Sequence, residues 1–250
     1  MPSAPSRRPA LLAFDTSTEA LLIAAAGPAG EVFWAGPGGA LASAQLVPRL
    51  QAVLADAGLA LADLDAIAFG AGPGAFTGLR TACAVAQGLA FGLAKPVLPL
   101  DSLRRLAEGC PWRAGPLWVA MDARMDEVYA AEYQPTDDGW AVLRAPALYT
   151  LAGLAAQWTQ APPRAVAGTA VTAFRDRLPW GPAALHPAES EPAAALLRVA
   201  RQAWSAGAAL PAEQALPLYL RDKVAHTTAE RLAQAEARAQ AQAAAGQSAA

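Results

Sequence analysis

One unit occurs twice in this chain: an apolar run that ends in an aspartate, a polar turn, and a second apolar run. The first copy is "LLAFDTSTEALLIA", in which Asp15 ends the first run, and the second is "LWVAMDARMDEVYAAEY", in which Asp122 has the same place. The two aspartates are 107 residues apart, a spacing typical of domains. Strand–turn–strand units are common enough to match by chance, but recurrence at this distance favours an internal duplication with two similar halves.

The pattern along the chain divides it into four segments. These are a disordered leader (1–9), a first half (10–105), a second half (106–225) whose last helix and strand can pack back on the first, and an Ala/Gln-rich tail (226–250). Apolar periodicity predicts helices near Ala44–Ala57 and Thr77–Leu93. A Pro-rich connector is expected between the second hairpin and the short strand "RAVAG". Strands that alternate with helices in this way indicate an α/β protein.

The stretch "GAGPGAFTGLR", Gly70 to Arg80, lies between an apolar strand and an apolar helix, a place where many proteins bind phosphate. It matches the dinucleotide fingerprint only loosely, and the P-loop pattern GxxxxGK[ST] is absent. Asp101 lies 31 residues beyond Gly70, too far for the acid that would bind a ribose. Pro73 lacks a backbone N–H, and Phe76 is large and apolar. We therefore expect these residues to shape a tight bend rather than to bind phosphate.

The helix behind this loop carries a stripe of small residues. Ala84, Gly88 and Gly92 follow one another at intervals of four residues, and Thr81 extends the narrow surface. Glycine within a helix costs about 0.5–1 kcal/mol relative to alanine, so two of them imply a compensating close contact. The pattern leaves two alternatives open: the stripe packs against the chain's own sheet, or it receives a helix of a partner.

Composition limits the classes of protein to which the chain can belong. Hydrophobic residues make up 54% and charged residues 16%, which predicts a large globular core. A net charge of −2 argues against a free-standing nucleic-acid-binding protein. The two histidines, His186 and His226, are 40 residues apart, so no HxxxH or HExxH metal site can be built. The two cysteines form no CxxC pair, and the longest apolar helix candidate is shorter than the ~20 residues that span a membrane. We expect a cytoplasmic protein with no membrane segment.

Four stretches, in this order, resemble the TsaB (YeaZ) family: "LLAFDTSTEA", "LDAIAFGAGPGAFTGLRTACAVAQGLAFG", "MDARMDEVYAAEY" and "PLYLRDKVA". The resemblance covers roughly residues 10–225. It implies the actin-like/Hsp70/sugar-kinase (ASKHA) superfold, a duplicated α/β architecture with two similar domains.

The resemblance also implies a function. The family is a non-catalytic scaffold subunit, needed for threonylcarbamoylation of N6 of the adenosine next to the anticodon in tRNAs reading codons that begin with A. It pairs with and activates a catalytic, metal-binding paralogue, TsaD, through helices of its first half. A P-loop ATPase, TsaE, joins the complex, and tRNA is met indirectly through the complex. The same helices allow a homodimer when the partner is absent. No catalytic residue, metal ion or cofactor is then expected in this chain.

Pattern and resemblance together select three groups of positions. The predicted partner interface consists of Leu46, Leu50, Val53, Thr81, Ala84, Val85, Gly88 and Gly92. The degenerate phosphate-site positions are Asp15, Thr16, Ser17 and Asp122. The loop-shaping positions are Gly70, Gly72, Pro73, Gly74, Phe76, Thr77, Gly78 and Arg80.

The phosphate site of the superfold is predicted to be degraded here. Active ATPases of the superfold generally have glycine after the second aspartate, whereas Asp122 is followed by Ala123 and Arg124. The pair Asp126–Glu127 adds negative charge that repels a polyphosphate. Weak nucleotide binding is the most that we expect. The alternative hypothesis is an enzyme of the superfold that binds and hydrolyses ATP, with Asp15 and Asp122 at the phosphates.

The glycine loop and its surroundings depart from the family pattern at four positions. Ala71, Ala75, Ala42 and Asp126 stand where arginine, serine, histidine and glycine are frequent in the family. These changes remove polar groups near the loop, whereas the small and apolar positions of the predicted partner surface remain.

Overall fold

Two five-stranded mixed sheets form the framework of the protein in the computed structural model, which describes residues 8–221. The predicted tail (226–250) and all but two residues of the predicted leader (1–9) lie outside this range. All strands and helices described below belong to one unit, Met1–Leu220. Among the described residues, no helix has the length and apolarity needed to cross a membrane.

The first sheet has the strand order β3-β2-β1-β4-β5. Its strands are β1 (Leu11–Asp15), β2 (Ala20–Gly27), β3 (Gly30–Pro37), β4 (Ala66–Gly72) and β5 (Val97–Asp101). The strands β1, β2 and β3 form an antiparallel meander, and β4 and β5 are parallel to β1. The parallel strands are buried and read as continuous apolar runs, as expected where helices cover both faces of a sheet.

The second sheet repeats this topology. Its strands are β6 (Leu117–Asp122), β7 (Glu127–Thr136), β8 (Gly139–Thr150), β9 (Ala165–Ala167) and β10 (Ala184–His186), in the order β8-β7-β6-β9-β10. Here too the first three strands form an antiparallel meander and the last two are parallel to the first. Asp15 and Asp122 are the last residues of the equivalent strands β1 and β6. The predicted duplicated α/β architecture is therefore confirmed.

Helices cover both faces of each sheet. They are α1 (Ala42–Asp56), α2 (Phe76–Leu93), α3 (Ser102–Gly109), α4 (Leu151–Gln160), α5 (Ala170–Ala173) and α6 (Pro192–Ser205). The helices α1 and α2 pack on one face of the first sheet, and α6 packs on the other. The second sheet is covered by α3 on one face and by α4 and α5 on the other. The helix that follows each sheet thus packs on the other sheet, which ties the two halves together.

The region between the second hairpin and β9 corrects the prediction. It was expected to be a Pro-rich connector, but it contains the end of β7, the whole of β8 and the helix α4. The strand β8 lies at an edge of the sheet, with β7 as its neighbour. Because much of an edge strand is exposed, β8 lacks the apolar alternation from which strands are recognised. The one sequence signal for this strand was its equivalence to β3, the third strand of the first unit.

The predicted last strand is also corrected within the described residues. Residues 216–220 belong to neither sheet. Their backbone makes one hydrogen bond to the first half, from the Leu218 N–H to the Ala71 carbonyl, 2.7 Å. This segment crosses the glycine loop instead of adding a strand.

Candidate functional site

The glycine loop is filled by the polar turn that follows β1. A Cβ atom on Gly78 would lie 1.8 Å from the carbonyl oxygen of Thr16, and one on Gly74 would lie 2.5 Å from that of Ser17. The Thr16 hydroxyl donates a hydrogen bond to the Gly78 carbonyl, 2.6 Å, and the Ala75 N–H donates to the Ser17 carbonyl, 2.7 Å. The glycines therefore permit backbone-to-backbone contact between two segments of this chain.

Two further glycines of the loop also make room for close neighbours. A Cβ atom on Gly70 would lie 2.3 Å from the carboxyl carbon of Asp15. Gly72 has a φ of +121°, and a Cβ there would lie 2.8 Å from the Leu218 carbonyl. The four glycines 70, 72, 74 and 78 are thus required by contacts inside the protein.

The Asp15 carboxylate is buried and already paired. Its Oδ1 accepts a hydrogen bond from the Ser17 N–H, 2.7 Å, and its Oδ2 lies 3.2 Å from Nε of Arg105 in an ion pair. Arg105, on α3, also pairs with Glu189, which follows β10. Burial lowers the pKa of the Arg105 guanidinium, but the carboxylates of Glu189 and Asp15 outweigh this effect and raise it above its ordinary value. We call Asp15, Arg105 and Glu189 the buried triad.

The helix that carries Arg105 is held between the two sheets. The Asp101 side chain caps its first turn by accepting a hydrogen bond from the N–H of Leu103, 2.8 Å. The same carboxylate accepts a hydrogen bond from the Tyr133 hydroxyl of β7, 3.0 Å. Desolvation raises the pKa of Asp101, against the effect of these hydrogen bonds. The Ser102 hydroxyl meets that of Ser17 at 3.1 Å, so the helix binds groups from both halves.

Arg105 and Glu189 were not identified from the sequence. The two adjacent arginines in "DSLRRLAEG" look like solvated charges, and Glu189 lies in a proline-rich stretch. One physical signal was available, because an aspartate at the end of a buried strand needs a cation or hydrogen-bond donors. That signal does not say where along the chain the cation is.

A cleft of about 480 Å³ lies between the turns that follow β1 and β6. Among its lining residues are Ser17, Thr18, Glu19, Gly74, Ala75, Leu106, Met121, Asp122, Ala123, Arg124, Tyr129, Gly168, Thr169, Ala173 and Glu189. Three carboxylates and one guanidinium line it, so a polyphosphate would meet net negative charge. In the described part of the chain, no group of three or more His, Cys, Asp or Glu side chains could hold a metal ion.

Asp122 lies in this cleft but is held by its own turn. Its Oδ1 accepts a hydrogen bond from the Arg124 N–H, 2.8 Å, and the Arg124 guanidinium reaches Glu19 across the cleft at 3.1 Å. Arg124, Met125 and Asp126 have φ values of 63°, 59° and 58°, so three non-glycine residues adopt the left-handed conformation in succession. The structure does not bring Asp15 and Asp122 together around one ligand position, because Asp15 is enclosed in the buried triad.

The predicted partner interface divides into buried and exposed positions. Leu46, Leu50 and Val53 are 0–3% exposed and belong to the core beneath α1, so their assignment to the interface is wrong. Their spacing marks the inward face of an amphipathic helix, not its surface. Val85 is half-buried against the same core, and the Thr81 hydroxyl donates to the Thr77 carbonyl, 3.0 Å.

The small-residue stripe faces outward. Ala84, Gly88 and Gly92 are exposed, and a Cβ atom on either glycine would meet nothing within 4 Å. The alternative in which the stripe packs against the chain's own sheet is therefore wrong for these two glycines. Phe91, on the same helix, is 59% exposed, and Val47 on α1 is 45% exposed. We call the outward sides of these two helices the α1–α2 face.

Two glycines of α2 provide a matched test of these contacts. Gly78→Ala should lower the free energy of unfolding by at least about 2 kcal/mol, because its Cβ collides with the Thr16 backbone. Gly88→Ala should raise it by about 0.5–1 kcal/mol, since alanine is the better helix former and the space is open. Urea unfolding followed by circular dichroism measures both, and equal effects of the two substitutions would contradict the assignment.

The buried triad is tested by removing its cation. Arg105→Met leaves the Asp15 carboxylate buried without its partner and should lower the free energy of unfolding by about 3–5 kcal/mol. Arg144→Met is the control, since its ion pair with Glu132 is half-exposed and should contribute less than about 1 kcal/mol. Urea unfolding of the two variants measures both losses of stability. Similar losses would mean that the buried triad stabilises the fold no more than a half-exposed ion pair does.

The chain is similar to proteins that are named for tRNA modification. The family model for TsaD, described as tRNA N6-adenosine threonylcarbamoyltransferase, matches residues 42–162. The tRNA threonylcarbamoyladenosine biosynthesis protein TsaB of Escherichia coli (strain K12) is 34% identical over 237 residues, which cover 86% of this chain and 96% of that protein. TsaB of Haemophilus influenzae is 40% identical over 124 residues, covering 49% of this chain and 52% of that protein. The solved structure of YeaZ from Pseudomonas aeruginosa superimposes with a TM-score of 0.76 at 40% identity and covers 85% of this chain and all of that one.

Proposed function

The chain belongs to the TsaB (YeaZ) family, and from this premise we propose that it acts as a non-catalytic scaffold subunit in tRNA threonylcarbamoyladenosine biosynthesis. Its part is to pair with a TsaD-type catalytic paralogue and to activate it. The modified position is N6 of the adenosine next to the anticodon in tRNAs reading codons that begin with A. The proposal includes a TsaE-type ATPase as a third member, contact with tRNA through the complex, and a cytoplasmic location.

The exposed glycines of α2 carry this proposal. An 18-residue helix with a buried inner face would be more stable with alanine at Gly88 and Gly92, and no atom of the described chain occupies the space above them. Glycine at these two positions leaves the helix backbone exposed over one full turn. A second helix can then approach at the short end of the usual interaxial range of about 8–10 Å. The loss in helix stability is compensated only if a partner binds this surface.

The nature of the partner is supported by the family model. The TsaD-type match, residues 42–162, contains α1 and α2 in full. A TsaD-type protein therefore has elements related to those that form the α1–α2 face. Related faces pair readily about a twofold or near-twofold axis, since each presents the shape that fits the other. The same reasoning allows a homodimer when the paralogue is absent.

The cleft supports a non-catalytic role for this chain. In the alternative hypothesis, Asp15 and Asp122 bind the phosphates of ATP. The Asp15 carboxylate is instead neutralised by Arg105 and enclosed beneath Gly70, and the cleft holds an excess of carboxylates. We assign the chain no cofactor in this proposal. Calorimetric titration with ATP and Mg²⁺ separates the hypotheses, because micromolar binding that is lost in Asp15→Ala would favour the enzyme.

Reconstitution of tRNA modification tests the function directly. Purified TsaD-type paralogue, TsaE-type ATPase, threonylcarbamoyl-adenylate and unmodified tRNA should yield little modified adenosine without this chain and full modification with it. Mass spectrometry of the digested tRNA measures the product. Full modification in the absence of this chain, or by this chain alone, would contradict the proposal.

Gly88→Arg tests the surface. The arginine projects from the middle of the bare helix and should abolish copurification with the TsaD-type paralogue, whereas open space at Gly88 leaves the fold intact. Ala156→Arg is the matched control, since Ala156 is an exposed position within α4, on the second sheet. The melting temperature of neither variant should fall appreciably below the wild-type value, since arginine is a better helix former than glycine and only slightly poorer than alanine. Unchanged copurification of Gly88→Arg would refute the surface assignment.

A further inference from the structure

The last described residues of the unit cross the glycine loop and the flank of α2. We call residues 215–220 the strap. Ala215 is buried, and its carbonyl accepts a hydrogen bond from the Cys83 thiol, 3.2 Å. The Leu218 N–H donates to the Ala71 carbonyl, 2.7 Å, and Leu220 packs against the core of the second sheet. The strap is thus fixed to both halves of the protein.

Two side chains of the glycine motif hold the strap in place. The ring of Tyr219 lies 5.4 Å from that of Phe76, and the Arg80 guanidinium lies 3.9 Å above the Phe76 ring. Nε of Arg80 donates a hydrogen bond to the Tyr219 hydroxyl, 3.2 Å. Phe76 and Arg80 were expected only to shape the loop. Their contacts give them a different role, the positioning of the strap.

The strap exposes large apolar side chains although its backbone is anchored. Leu216 is 70% exposed, Leu218 41% and Tyr219 44%. Exposed apolar residues that occur singly are ordinary, but three within four residues on an ordered segment form a patch. The described part of the chain offers no structural reason for the exposure of Leu216.

The strap runs beside the bare stripe of α2. Residues of the segment 212–219 contact α2 at Phe76, Arg80, Cys83 and Gln87, which follow one another at helical spacing along one flank. Ala84 and Gly88 come one residue after Cys83 and Gln87, and are therefore about 100° further round the helix. The strap forms the border of the stripe along this flank.

We propose that the strap is part of the surface that binds the TsaD-type paralogue, with Leu216 and Leu218 as contact residues and Phe76 and Arg80 as positioning residues. This inference rests on the proposed function, in which a partner helix lies on Gly88. Such a helix is about 10–12 Å across with its side chains. Seated on the stripe, it overhangs the flank that the strap borders and covers the exposed leucines. The occupant is the same partner because the two surfaces are continuous.

Leu216→Glu tests the strap without threatening the fold, since most of this side chain is exposed. Titration calorimetry with purified TsaD-type paralogue should give a Kd at least about 10-fold higher than that of the wild type, because the interface would then bury a carboxylate that has no partner. Leu143→Glu is the matched control: Leu143 is 51% exposed on β8, remote in topology from α2. Its Kd should stay within about 2-fold of the wild-type value.

A second variant separates positioning from contact. Arg80→Ala frees Tyr219 and should raise the Kd while it speeds hydrogen exchange of the Leu218 amide, whereas Leu216→Glu should leave that exchange rate unchanged. If Gly88→Arg prevents binding but Leu216→Glu has the wild-type Kd, the strap inference is overturned and the proposed function stands. If Leu216→Glu changes only the self-association of the chain, measured by sedimentation, the partner named here is wrong. If Gly88→Arg also binds normally, the failure lies in the proposed function.

Discussion

A single buried guanidinium joins the parts of this protein. Arg105 lies on the helix that follows the first sheet and pairs with Asp15 at the end of β1 and with Glu189 beyond β10. Two carboxylates and one cation at 1–21% exposure are stable only while all three are in place, because an unpaired charge in the interior is strongly unfavourable. This arrangement fixes the polar turn that follows Asp15. The position of that turn then determines where the glycine loop can lie.

The glycine motif has several separate functions along its length. Gly70, Gly74 and Gly78 admit the Asp15 turn at distances that no Cβ could tolerate. Phe76 and Arg80 project on the other side and hold the strap. Ten residues after Gly78, Gly88 has open space above it. The motif thus builds the interior, and in the function proposed here the helix that begins within it presents a binding surface.

The duplicated architecture keeps the cleft of its superfold but changes its chemistry. The two equivalent turns still face one cleft, yet Asp15 is withdrawn into the buried triad and Asp122 is held by the Arg124 turn. The carboxylates that remain disfavour polyphosphates. On the proposed function, the chemically important surface has moved from the cleft to the outside of α2, where binding depends on shape and apolar contact rather than on charge.

The sequence by itself determined the features that depend on neighbouring residues: the duplicated strand–aspartate–turn unit, and the helices α1 and α2 to within two residues at each end. Local periodicity reports burial, and turns follow from residue type, so these could be predicted. Only the tertiary structure decided that Leu46, Leu50 and Val53 point inward while Gly88 faces solvent, that β8 completes a sheet, and that Asp15 meets Arg105 and Glu189. Periodicity shows that a helix has two faces but not what covers each. Arg105 and Glu189 lie 90 and 174 positions after Asp15, and contacts at such separations leave no trace in the local pattern.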